Sequence, residues 1–209
     1  MNLLILGASG ATGRSLVAQA LAGGHRVTAV SRHPEHITSA HANLSLVTGD
    51  VAGDPGVIVK ALPGHDAVLS ALGRGLSFSP QALMARSTAN VIPAMERLGP
   101  RRLVWLSAYG VAPDYDGATG MARLFFSTLL RGIYADKAFA EAAVRGSGLE
   151  WTLVNPVRLT SDAGLGKYRV GERIEGASGK AISRATVAAY MIRCVGELGT
   201  VGRRLIISP

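Results

Sequence analysis

The chain alternates short unbroken apolar runs with longer stretches in which apolar residues recur every three or four positions. The first pattern predicts buried strands and the second predicts helices. Asn2–Gly7 reads as a strand and Ala11–Ala22 as a helix closed by Gly23-Gly24. The β-branched run His25–Ser31 and the run Leu44–Thr48, which ends in Gly49-Asp50, predict the next two strands. A helix is expected over Asp54–Leu62, stopped by Pro63-Gly64, then a strand over Asp66–Leu72 and a Gly/Ser-rich loop over Gly73–Ser79. Residues 80–98 are helical in composition, with Pro93 expected to kink or break that helix. Arg102–Ser107 reads as a strand, 121–146 as a helix interrupted near Gly132, and Glu150–Asn155 as a further strand.

Repeated strand–helix alternation implies parallel pairing with right-handed crossovers and helices on both faces. The expected fold class is therefore α/β, a doubly wound, mostly parallel, Rossmann-like sheet. Beyond residue 155 the pattern changes. Residues 156–180 hold five glycines (164, 166, 171, 176 and 179) and predict a long loop with a small hairpin, so 156–183 is expected to be a substrate-side region. A helix follows Ser183, and Arg204–Ser208 closes the sheet. With no linker, repeat or low-complexity stretch, residues 1–209 are expected to form a single domain.

Composition narrows the function classes. At 209 residues with 48% hydrophobic and 17% charged residues, the chain can fill a core without staples. Cys194 is the sole cysteine, which excludes an intramolecular disulfide and a cysteine-based zinc site and fits a reducing compartment. The N-terminal apolar run lacks the flank and cleavage site of a signal peptide, and no run of about 18 apolar residues exists, so a cytoplasmic location is expected. His33, His36 and His41 cluster loosely at a spacing that fits no metal site, and no metal is expected. The net charge of +8 suggests an anionic partner. The bases are scattered singly and eighteen of the 22 are Arg, the residue suited to planar recognition of phosphate and carboxylate. That favours a small anionic ligand over nucleic acid or a membrane. The oligomeric state is not legible.

The strongest chemical signal is Gly7-Ala8-Ser9-Gly10-Ala11-Thr12-Gly13, which follows a strand and opens a helix. In such a loop the first glycine permits the tight turn and the second lets a pyrophosphate approach the backbone. The third lets helix and strand pack closely, and the first-turn amides face the anion. The spacing is G-x-x-G-x-x-G rather than G-x-G-x-x-G. At the tip of the second predicted strand, Ala29-Val30-Ser31-Arg32-His33 offers a cation where NAD sites usually offer an acid, and Arg14 adds another in the first helical turn. This predicts NADP(H). Glu35, after Pro34, is the alternative that would serve NAD, and Arg32 as a solvated surface arginine is the plainer one.

The glycine loop, Arg32, Gly49-Asp50-Val51, Ala71-Leu72-Gly73, Ser107-Ala108 and the run from Ser147 through Trp151-Thr152 to Asn155-Pro156 resemble atypical short-chain dehydrogenases. The group is the NmrA-like NAD(P)H-binding one, and the chain is most similar within it to the biliverdin reductase B and flavin reductase type. The segments Ala181-Ile182-Ser183-Arg184 and Met191-Ile192-Arg193-Cys194 share that resemblance. It implies that Asp50 and Val51 hold the adenine, that Leu72 and Gly73 line a ribose, and that Ser107 and Pro156 lie by the nicotinamide.

Typical short-chain dehydrogenases pair a Lys with a Tyr four residues earlier, whose proton is exchanged with a carbonyl or alcohol. Here Lys137 stands where the family Lys would, but position 133 is Ile, and Tyr134 is turned off the required helical face by about 100°. Hydride transfer to a flavin, bilin or quinone does not need that pair. The expected activity is thus an NADPH-dependent reductase of a small planar acceptor, with Ser107, Lys137 and Arg158 as candidate catalytic residues. Arg158, just beyond the predicted strand Glu150–Asn155, would attract an acceptor carrying carboxylate or phosphate. A redox sensor that binds NADP(H) without turnover, and a reductase or epimerase of a small carbonyl substrate, are the alternatives.

Overall fold

Leu3 and Ile5 of β1 (Asn2–Leu6) face one layer and Leu4 and Leu6 the other, and all four are fully buried. A strand apolar on both faces needs cover on both faces, and helices supply it. The computed structural model describes residues 1–73, 82–111, 131–164 and 166–209, with backbone alone at 131–133. In chain order the elements are α1 (Ala11–Ala22), β2 (Arg26–Ser31), β3 (Leu44–Thr48), α2 (Pro55–Ala61), β4 (Ala67–Ser70), α3 (Leu83–Leu98) and β5 (Arg102–Leu106). They continue with α4 (Arg131–Gly146), β6 (Glu150–Pro156), β7 (Arg158–Thr160), β8 (Arg169–Gly171), β9 (Ala181–Ser183), α5 (Arg184–Gly196) and β10 (Arg203–Ser208).

The main sheet has the order β3-β2-β1-β4-β5-β6-β10-β8. All its neighbours pair in parallel except β8, which runs antiparallel to β10. On one face, Leu16 and Val17 of α1 and Met191 and Cys194 of α5 pack over Leu3, Ile5 and Val104. On the other, α2, α3 and α4 bring Ile58, Val91, Met95, Ala140 and Val144 against Leu4, Leu103 and Trp105. This is a single Rossmann-like α/β unit. The chain leaves β1 toward β2 and β3 on one side and returns to β4 on the other, which opens a crevice at the carboxyl ends of β1 and β4. Among the described residues no helix is long and apolar enough to cross a membrane.

Three expectations need correction. Of the kink or break expected at Pro93, the break does not occur: α3 runs through it, because its apolar face (Met84, Val91, Ile92, Met95) is buried against the sheet and outweighs one missing amide bond. α4 continues through Gly132 from Arg131, while residues 121–130, Phe125-Phe126 and most of the Gly73–Ser79 loop lie outside the described residues. The 156–183 region holds no hairpin among its described residues. β7 pairs in parallel with β9, Leu159 opposite Ile182, and β8 covers the otherwise open edge of β10, Val170 opposite Ile207. Short strand patterns reveal extended backbone but not the partner, and an uncovered β10 edge would leave unpaired amides.

Candidate active site

The crevice is lined by the turns that follow the parallel strands. Gly7 takes φ +72° directly after β1, and a Cβ there would lie 2.8 Å from the Ala71 carbonyl oxygen and 2.9 Å from the Leu72 nitrogen. Only glycine lets the β1 and β4 turns approach so closely. A Cβ on Gly13 would run into the Gly7 carbonyl and the Ala8 backbone, so α1 sits hard against the end of β1. Gly10 donates to the Gly7 carbonyl at 3.1 Å and closes the loop. The first turn of α1, with Ala11 exposed and Thr12 buried, has no side-chain cap and no acidic residue. Its amides and the positive end of its dipole are left for an external anion.

The loop is fixed laterally to β2. Ser31 Oγ donates to Ser9 Oγ at 2.7 Å and accepts from the His33 amide at 2.9 Å, so the loop and the strand tip that carries the exposed Arg32 form one unit. Arg14 bends back onto the Ser9 carbonyl. Glu35 instead pairs with His33 at 3.1 Å, and His33 stacks on His36. At the end of β3, Asp50 Oδ1 accepts from the Ala52 amide at 3.1 Å, and Asn90 of α3 donates to the Val51 carbonyl at 2.8 Å. Leu72 is half-buried and Gly73 exposed beyond β4.

A second cluster lies at the ends of β5 and β6. Ser107, buried, donates its hydroxyl to Glu141 Oε1. Asn155 Nδ2 reaches the same oxygen at 2.7 Å, and Arg204 Nε holds Oε2 at 3.1 Å. Pro156 follows, buried, and its carbonyl accepts from the Tyr109 amide at 2.9 Å. Lys137 lies one helical turn before Glu141 on α4 and is half-buried. Burial lowers its pKa, while Glu141 and Asp136 pull it the other way. Arg158 stands apart, exposed on β7.

A family model described as NAD(P)H-binding matches residues 7–197. The chain belongs to this NAD(P)H-binding family. It is 26% identical over 208 residues to the uncharacterized sugar epimerase YhfK of Bacillus subtilis, covering 97% of this chain and 92% of that one. It is 29% identical over 213 residues to the (4-alkanoyl-5-oxo-2,5-dihydrofuran-3-yl)methyl phosphate reductase of Streptomyces griseus, covering 99% of this chain and 67% of that one. A short-chain dehydrogenase/reductase of Veillonella parvula, solved in complex with NADP, superposes with a TM-score of 0.80 at 20% identity and covers 100% of this chain and 94% of its own.

The cradle of this NAD(P)H-binding protein fits the family's cofactor on its own geometry. Two glycines sit where a Cβ would collide with backbone, and an uncapped helix start faces outward. The structure brings the residues expected at the cofactor, Gly7 through Arg14, Arg32, Asp50, Val51, Leu72 and Gly73, to neighbouring strand ends. Ser107 and Pro156 stand at the ends of the next two strands, with Lys137 beside Glu141. Arg158 is not part of that cluster. Glu141, Arg204 and Asn90 escape the sequence reading. The one signal that could have found Glu141 is its spacing of four from Lys137, which places both on one helical face.

Proposed function

We propose that this protein is an NADPH-dependent reductase that delivers hydride to a planar conjugated acceptor carrying an anionic group, of the flavin, bilin or quinone class. The observation that carries this reading is the Ser9–Ser31 bond. It ties the anion-ready loop to the Arg32-bearing strand tip, where Ser31, Arg32 and His33 include no acid and Glu35 is drawn onto His33. The Gly7–Gly13 loop and first-turn amides hold the pyrophosphate, and Arg32, with Arg14 beside it, holds the 2′-phosphate. Asp50 and Val51 flank the adenine, Leu72 and Gly73 the ribose, and Ser107 and Pro156 border the nicotinamide. The bound dinucleotide supplies the hydride. The chain's part is to orient the two rings, and no tyrosine is needed at position 133, which is Ile. The Streptomyces relative is named for a flat, doubly conjugated lactone phosphate, which supports a planar anionic acceptor here.

The test is steady-state oxidation of NADPH with FMN. Turnover above the protein-free rate is expected, with only a modest loss in Lys137→Ala, since water supplies the proton. Abolished turnover in Lys137→Ala with intact cofactor affinity would instead indicate lysine-centred carbonyl chemistry. Tight NADPH binding without turnover on any planar acceptor would identify a sensor. Arg32→Ala should weaken NADPH by about 10- to 150-fold, the worth of a charge-assisted bond, and leave NADH nearly unchanged. Equal weakening of both would refute the NADP preference.

A further inference from the structure

Glu141 is 4% exposed, and its hydrogen-bond partners among the described residues are all donors: Ser107 Oγ at 2.5 Å and Asn155 Nδ2 at 2.7 Å on Oε1, and Arg204 Nε at 3.1 Å on Oε2. A carboxylate facing three donors acts purely as an acceptor. The single hydroxyl proton of Ser107 is therefore committed to Glu141, and Ser107 has only lone pairs left to offer beyond the end of β5. Asn155 contributes a second acceptor. Its amide nitrogen is held between Glu141 and the Ala108 carbonyl (2.9 Å), which fixes the amide orientation, since the flipped amide would set oxygen against oxygen. Its Oδ1 is buried and meets no donor among the described residues. Buried acceptors are nearly always satisfied, so an oxygen without a donor at the carboxyl end of a strand points to a ligand that brings one.

We propose that Glu141 is a positioning residue that sets the hydrogen-bond polarity of the site. By taking the Ser107 proton and orienting Asn155, it makes both of them acceptors for the N–H of a planar heteroaromatic amide. The inference rests on the reductase reading above and deepens it. Arg204 serves by anchoring the far carboxylate oxygen, so that Oε1 stays on Ser107. Two groups share the required chemistry: the carboxamide of the nicotinamide and the imide N–H of a flavin-class acceptor.

Two equilibrium binding comparisons distinguish them. In the first, NADP⁺ is set against its 3-acetylpyridine analogue, in which a methyl group replaces the amide NH₂. In the second, lumiflavin is set against 3-methyllumiflavin in the presence of NADP⁺, read by flavin fluorescence. The unaltered protein is expected to favour the N–H-bearing partner about fivefold in one comparison, roughly one net hydrogen bond. Ser107→Ala removes one of the two acceptors, whereas Glu141→Gln can donate to Ser107, turn its proton toward the site and release the hold on Asn155. Ser107→Ala should lower the ratio, Glu141→Gln should bring it close to one, and the double variant should do no more than Glu141→Gln alone. A purely structural loss would weaken both members of a pair alike and leave the ratio intact. If Glu141→Gln does not fold, Glu141→Asp, which keeps the charge but withdraws it from Ser107, carries the same test. A ratio near one in both comparisons, or a fivefold ratio that survives loss of the Glu141 contact, overturns the assignment. Failure to bind NADP⁺ at all overturns the reductase reading and the inference together, whereas normal NADP⁺ binding without discrimination overturns the inference alone.

Discussion

Lys137 shows how one side chain reports on its surroundings. Burial favours its neutral form more than Glu141 and Asp136 favour the ammonium, so its folded pKa lies below the ordinary 10.5. Between the folded and unfolded values the unfolded chain binds the extra proton, and stability therefore rises with pH across that window. Below the folded pKa the cost of burying the ammonium is carried in full. Lys137→Met should thus be more stable than the unaltered protein near neutrality, and the gain should shrink as pH approaches 10.5. Denaturant titrations of both proteins at the two pH values check this. A gain that does not change with pH would show that Lys137 is solvated like a surface lysine. At this scale the sequence was informative where a residue type is required by close packing, as with Gly7 and Gly13, and silent about Glu141, one acid among fourteen acidic residues.

At the scale of elements, α3 depends on a group outside itself. Ala82, which precedes it, adopts φ +42° and offers no side-chain cap. The cap comes from Asp136 of α4, whose carboxylate accepts from the Met84 and Ala85 amides at 3.0 Å each. A negative group at a helix start also complements the dipole. Asp136→Ala should cost about 1–2 kcal/mol, as for other lost caps, and lower Tm by about 2–8 °C for a domain of this size. Because Asn90 of α3 holds the turn around Val51, the same variant should also weaken NADPH binding. Thermal melts with and without NADPH provide the measurement, and an unchanged Tm would show that water caps the helix equally well. Arg102 does the reverse for α5. It is 5% exposed and donates to the Cys194 and Val195 carbonyls at the helix end, a buried use for a residue that the sequence presents as one of many bases.

For the molecule as a whole, the proposed anionic acceptor can be tested through the positive balance and the small β7–β9 sheet. Arg158 opens β7 directly after Pro156 and Val157, exposed and outside the Glu141 cluster. If it guides an anionic acceptor, Arg158→Ala should raise the KM for FMN by more than twofold and leave uncharged riboflavin unaffected. Exposed pairs are worth about 0–1 kcal/mol, so the effect will be small and should fade with added salt. Comparison of the two flavins at low and high ionic strength measures it. An effect below twofold means that Arg158 is solvated, and an equal effect on both flavins removes the charge argument.

The sequence by itself determined the element types through β6, the class of the sheet and the site of the glycine loop. Each of these follows from local rules: unbroken apolar runs for strands buried on both faces, three-four spacing for helices, and glycine where backbone meets backbone. Only the tertiary structure decided that β8 pairs with β10 and β7 with β9, that Asp136 caps a helix 52 positions away, and that Ser107, Glu141, Asn155 and Arg204 share one carboxylate. Periodicity reports whether a residue is buried but not what it is buried against. Partners drawn from β5, α4, β6 and β10 meet only once the sheet order has been set, and that order is a property of the folded chain rather than of any window along it.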